Sequence, residues 1–379
     1  MKKALVFFLA VSLIISLTGC PDKKRKPLPP KIFLMVAKSK EEKDLIKTFE
    51  AKAKEKKWQV MIKSLNANEN REEKILTQIT GRKPKGVIWE TAGSPKAGIL
   101  AQKLYRESKI IFLKDIPYSA WGDGAILLDY KKGAELMAKN LALYEKTGKV
   151  LLLAANRQKL SVKLLEESLM KELTALGKSV TTGELLVKDQ RKVLAGVKKL
   201  AEGQSIIALD GKIGELLAEV GMNKERGVIF ASMELTPKIA QAIYQNKLLA
   251  SIDPLQEVIA AKAVEEMDGL LKNRGFKGET KIMVKKGELP VIYTPVRLVT
   301  RENIEELQKT YGKFKAAAKQ GQDKDNQKQG KTTRVKITTS QGKTIELTVE
   351  GEITRIETGP EGGKEEKKGG TAETRRVWR

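Results

Sequence analysis

The 379-residue chain has no histidine and only one cysteine. Those absences remove Ser-His-Asp and Cys-His catalysis, His/Cys zinc sites, redox dithiols and intrachain disulfides together. Aromatic residues make up 5%, so any ring that stacks on a ligand must come from a short list. Negative charge is also scarce: 47 Asp and Glu face 72 Lys and Arg, a formal net charge of +25. Carboxylate chemistry, lysine nucleophiles and oxygen-ligated calcium or magnesium remain open to such a chain. Hydrophobic residues, at 41%, suffice for packed cores, and the length suits two ordinary domains.

The longest apolar run, Ala4 to Leu17, follows Met1-Lys2-Lys3. Its 14 residues would span about 21 Å as a helix, short of a hydrocarbon core of roughly 30 Å. It reads as the apolar region of an export signal over residues 1–19. The run ends in Leu17-Thr18-Gly19-Cys20, which resembles a bacterial lipobox. The resemblance implies cleavage before Cys20 and acyl chains, palmitate among them, on that cysteine. The alternative is an ordinary secretory signal with a chance cysteine. Several acyl chains anchor stably where one is marginal. The expected place is the outer face of the cytoplasmic membrane or the periplasm. Residues 20–30 read as a tether, with Lys23-Lys24-Arg25-Lys26 beside the lipid headgroups. Loss of Lys2 and Lys3 with the signal lowers the net charge from +25 by two, to +23. That charge is read as attraction to an anionic membrane surface, not as a nucleic-acid footprint.

From Lys31 onward, short apolar runs alternate with segments of helical period, the pattern of βαβ units and a mostly parallel sheet. The first runs are Ile32–Ala37, Val60–Leu65, Gly86–Trp89, Ile110–Leu113 and Ala125–Leu128. In 41–57, Leu45, Ile46, Phe49 and Ala53 recur at three- and four-residue spacing; 97–108 does the same. A second set follows from 131 to 252, then a long helix at 257–272 and strands near 281–284 and 291–298. Beyond Tyr311 a polar, low-complexity linker (311–331) leads to a three-stranded β-meander (332–358) and a Gly/Glu/Lys-rich disordered tail (359–379).

The order of elements, with GKVLLLAANR (148–157), SIIALDGKIGELLAEVGM (205–222) and LLASIDPLQEVIAAKAVEEMDGLLK (248–272), resembles the type I periplasmic substrate-binding proteins. This is the ribose- and galactose-binding family, whose fold also forms the core of lactose-repressor-type regulators. The resemblance implies an α/β fold of two Rossmann-like parallel-sheet lobes joined by three crossings. Lobe one would be 31–128 plus 254–290 and lobe two 129–253 plus 291–310. The crossings would fall near Leu128–Asp129, Asp253–Pro254 and Pro290–Tyr293. It also implies a solute-binding protein of an ABC importer: not an enzyme, without cofactor or metal, expected as a monomer. Its partners would be a small polar, sugar-like ligand, a membrane ABC permease and the membrane surface. A ligand sensor for a receptor kinase, and a structural or enzymatic use of the scaffold, are the alternatives.

In open parallel sheets ligands bind beyond the carboxyl ends of the strands. The candidates there are Trp89, Glu90, Asp115, Tyr118 and Trp121 from the first lobe. The second lobe offers Asn156, Arg157, Asp210 and Glu234, and Asp253 stands at a crossing. Rings would face the apolar side of a sugar; Asp, Asn and Arg would clamp its hydroxyls. Each residue has a plainer role open to it. Trp89 suits packing under a helix, Trp121 a half-exposed loop, Asp115 and Asp210 helix caps, and Glu234 a solvated loop charge. The pattern also departs from ribose binders. Lys38-Ser39-Lys40-Glu41 has no aromatic, Ser161–Glu167 has no arginine, and Leu209 stands where an asparagine precedes the aspartate. Ribose specificity is therefore not carried over. No dinucleotide or phosphate-loop motif is present, and no helix-turn-helix precedes the fold.

Overall fold

The computed structural model describes residues 28–38, 42–117, 119–185, 195–199, 202–284 and 287–316, and the backbone of 332–338 and 344–350. The leader, Cys20, most of the tether, Tyr118, the expected third meander strand and the tail lie outside the described residues. The chain forms two compact units, one ending at Ala316 and one beginning at Ala317.

The first unit contains two sheets. Lobe one has β1 (Lys31–Val36), α1 (Lys43–Glu55), β2 (Gln59–Ser64), α2 (Glu69–Thr80), β3 (Gly86–Glu90), α3 (Ala97–Tyr105), β4 (Lys109–Leu113) and β5 (Gly124–Leu128). Lobe two has α4 (Tyr130–Ala142), β6 (Lys149–Ala154), α5 (Leu160–Ala175), β7 (Ser179–Glu184), β8 (Ser205–Ala208), α6 (Gly211–Val220), β9 (Phe230–Ser232), α7 (Pro237–Tyr244) and β10 (Ala250–Asp253). The chain then returns through α8 (Gln256–Leu271), β11 (Thr280–Val284), β12 (Gly287–Thr294) and β13 (Arg297–Thr300). The first sheet runs β11-β12-β5-β4-β3-β1-β2 and the second β13-β10-β9-β8-β6-β7. All neighbours are parallel except the edge pairs β11–β12 and β10–β13.

Central strands are buried on both faces, so they read as unbroken apolar runs: Ile32 through Val36 are all at 1% exposure or less. Leu45, Phe49 and Ala53 turn the apolar stripe of α1 onto the sheet beside Ile259, Ala263 and Met267 of α8. Helix α2 is not marked by apolar periodicity in the sequence. One of its four buried positions is the carboxylate of Glu72, which breaks the apolar periodicity. Its start is marked by Asn68, whose side chain accepts from Arg71 N at 2.9 Å. Gly214 lets α6 approach β9 and α7: a Cβ there would lie 2.5 Å from Ser232 Oγ and 2.6 Å from Ile239 Cδ1.

The three crossings are bonded to one another. Asp129 N donates to Thr294 O at 2.9 Å, and Thr294 Oγ1 donates to Leu127 O at 3.0 Å. Asp253 at the second crossing pairs with Arg297 just beyond the third. Two expected boundaries are corrected. Residues 291–294 belong to the first sheet, because β12 pairs with β5 from Val291↔Ala125 to Thr294↔Leu128; the third crossing is therefore Pro295–Val296. The expected linker does not start at 311. Ile304, Leu307 and Tyr311 are buried with Val299 in lobe two, and Phe314 stacks on Tyr244.

In the second unit, β14 (Thr332–Thr338) pairs antiparallel with β15 (Thr344–Glu350), two of the three expected strands. Among the described residues no helix is long and apolar enough to cross a membrane.

Candidate ligand cleft between the lobes

The loops after β1, β3 and β4 of lobe one face those after β6, β8 and β9 of lobe two. On the first side a buried charge triad closes over the sheet end. Lys114 Nζ pairs with Glu42 and, at 3.2 Å, with Glu90. Glu90 Oε2 also accepts from Ala37 N at 3.1 Å, and Glu42 Oε2 from Lys38 N at 3.1 Å. Lys114 sits in left-handed backbone, φ 59°, which turns its side chain back over β3 and β1. Burial, and then the charge of Glu90, pushes Glu42 well above the carboxylate range. Burial also opposes ionisation of Glu90, but Lys114 and the hydrogen bonds outweigh it and bring Glu90 below its ordinary value. Lys114 follows the same logic in reverse: burial lowers it and the two carboxylates raise it further.

Asp115 reaches across. Its Oδ1 accepts from Ile116 N at 2.8 Å and from Ser161 N, in the first turn of α5 of the other lobe, at 3.1 Å. Burial holds its carboxyl above the usual value, against the nearby charge of Lys159. On the second side Asp210 caps α6, accepting from Ile213 N at 3.0 Å, and also takes Ala155 N at 2.6 Å. Burial raises it too, Glu234 adds to the rise, and Lys159 opposes it. One lysine thus acts on an aspartate from each lobe. Glu234 Oε2 accepts from Gly211 N at 2.8 Å. Tyr130, at the first crossing, donates to Lys114 O; burial and the charges of Asp115 and Glu90 hold its hydroxyl well above the usual range.

The structure brings Glu90, Asp115, Asp210 and Glu234 to this cleft. Asn156 closes a turn on Gln158 N, and Arg157 is held by Glu166 of its own lobe. Three expectations are corrected. Trp89 is fully buried, tilted at 53° against Phe112, because its side of β3 faces α2 and α3; it offers no face to a ligand. Trp121 lies at the opposite edge of the sheet. Strands β4 and β5 are parallel, so the chain must travel back before Gly124, and the ring meets Tyr105 at the end of α3. Asp253 has both carboxylate oxygens taken, by Arg297 and by the Tyr311 hydroxyl at 3.0 Å, and serves the hinge. Sequence reading missed Glu42, Tyr130 and Lys159. Only Tyr130 had a signal, its place beside the crossing residue Asp129. Among the described residues no cluster of three Asp or Glu is arranged to hold a metal ion.

Neither protein-family models nor curated proteins match this chain. Solved structures do. A solute-binding protein of an ABC transporter from Agrobacterium vitis, bound with α-D-tagatopyranose, aligns at TM-score 0.60 and 14% identity over 72% of this chain and 95% of its own. One from Actinobacillus succinogenes with bound D-allose aligns at 0.58 and 16% identity, over 73% and 99%. A glucose-galactose binding protein from Geobacillus stearothermophilus aligns at 0.60 and 13%, over 73% and 98%. The fold is that of the type I periplasmic binding proteins.

Proposed function

We propose that the chain is a lipid-anchored, extracytoplasmic solute-binding protein that takes a small polar, sugar-like ligand between its lobes and presents it to the permease of an ABC importer. The observation that carries this reading is the bond across the cleft: Ser161 N of one lobe donates to Asp115 of the other at 3.1 Å, so polar groups at the ends of both sheets converge on one place. Asp115 from one lobe, and Asp210 and Glu234 from the other, supply carboxylate acceptors for hydroxyls. Binding needs no covalent step; closure about the three crossings buries the ligand. Cys20 would carry the acyl anchor, and the protein would act as a monomer. A thermal-shift and calorimetric screen of the full chain against monosaccharides, nucleosides and amino acids tests this. One sugar is expected to raise the melting temperature and bind at a single site; no response across the panel at millimolar concentration overturns it.

A second reading, a structural use of the scaffold, is favoured by the Glu42–Lys114–Glu90 triad, whose members satisfy one another at one side of the cleft. A neighbouring permease gene supports transport; a neighbouring receptor-kinase gene supports sensing.

A further inference from the structure

The start of α5 is unusual. Its own flanking residue, Lys159, makes no side-chain cap, although the first N–H groups of a helix need acceptors. The acceptor for Ser161 N comes instead from Asp115, 46 residues earlier and on the other lobe. The same oxygen is fixed from behind by Ile116 N, and the residue is only 7% exposed. A charged acceptor on a helix N-terminus, shielded from water, is among the stronger contacts one lobe can offer another. Lys159 adds to it. Its stem lies against lobe one, with Cε 3.4 Å from where a Cβ on Gly93 would sit, and its charge favours ionised Asp115.

Building on the cleft reading above, we infer that Asp115 is a latch. Its carboxylate clasps the two lobes through the protein's own groups, and a ligand entering the cleft competes with it for the Ser161 N–H. Closure then does not wait for ligand, and the apparent affinity is reduced by the fraction of molecules that are latched.

Hydrogen exchange and a cross-lobe distance test this on the full chain. Spin labels at Lys83→Cys and Lys139→Cys, both on well-exposed side chains, report the separation of the lobes. With Asp115 intact, the peptide containing Ser161 should be protected and the distance short and narrow. Asp115→Ala should speed exchange at Ser161 about tenfold and lengthen the distance; Asp115→Asn, which keeps an oxygen acceptor, should fall between. Ser161→Pro removes the donor in a first turn that tolerates proline, and should lengthen the distance even if Asp115→Ala fails to fold. Equal protection in wild type and Asp115→Ala, or an unchanged distance in Ser161→Pro, overturns the latch. A sugar screen without hits, alongside an intact latch signal, overturns only the solute-binding reading.

Discussion

Trp89 donates its indole N–H to the buried carboxylate of Glu72 at 2.8 Å. Ala92 N and Ser94 N also donate to Glu72, both at 3.0 Å. One carboxylate therefore fixes the loop that carries the chain from β3 toward the cleft. Burial raises the Glu72 carboxyl against these hydrogen bonds.

Glu72→Ala should cost at least about 3 kcal/mol, because it strands buried donors. Trp89→Phe should cost about 1–3 kcal/mol through the orphaned carboxylate oxygen and leave solute affinity unchanged. Urea melts and titration of the same variants decide it; a Trp89→Phe protein that is fully stable but binds poorly would return Trp89 to the cleft.

The triad makes a pH-dependent prediction. Glu42 has a raised carboxyl in the folded state, so the folded protein holds that proton where the unfolded chain has released it. Its contribution is most favourable below the unfolded value and declines as pH rises through the folded one. Glu90, lowered, behaves oppositely and loses its contribution only in stronger acid. Lys114→Met leaves both carboxylates without a cation and should cost about 3–5 kcal/mol at pH 7. The loss should shrink at pH 5, where protonation relieves the pair. Denaturation curves showing the same loss at both pH values would refute the coupling.

Asp210→Ala should lower stability by about 1–2 kcal/mol, and Asp210→Asn should restore most of it, since asparagine caps nearly as well. Melting curves check this. A stability loss of the same size in both variants would mean that charge, not capping geometry, is what matters.

The described first unit ends at Ala316. A chain stopped after Ala316 should melt as cooperatively as the full chain. One stopped after Thr300 loses the burial of Ile304, Leu307 and Tyr311 and should be weaker by about 3 kcal/mol or more. Equal melting temperatures for the two truncations would place the lobe boundary earlier.

Cys20→Ser should abolish incorporation of a labelled fatty acid and leave an unanchored or uncleaved product. Equal labelling of wild type and variant would refute the lipobox resemblance.

Much of the architecture was legible in the chain because it rests on local rules. Doubly covered strands must be continuously apolar, and helices between them must carry an apolar stripe; Ile32–Val36 and Leu45, Phe49 and Ala53 show both. The strand-end rule also put Glu90, Asp115 and Asp210 at or just beyond the carboxyl ends of β3, β4 and β8, where the structure has them. It failed for Trp121, because a loop joining parallel strands begins at one edge and ends at the other, and sequence distance does not say where along it a residue lies. It failed for Trp89 because the facing of a doubly buried strand has no polar alternation to betray it.

The sequence alone determined the two sets of βα units and the absence of histidine chemistry, since the first depends on neighbours within a few positions and the second on composition. Only the tertiary structure decided the pairings that carry the site. Lys114 meets Glu42 from 72 residues away, Tyr311 reaches Asp253 from 58, and Asp115 meets Ser161 from 46. Such contacts arise when separate loops are brought to the same sheet ends, and no periodicity or spacing in the chain encodes which charged group will find which.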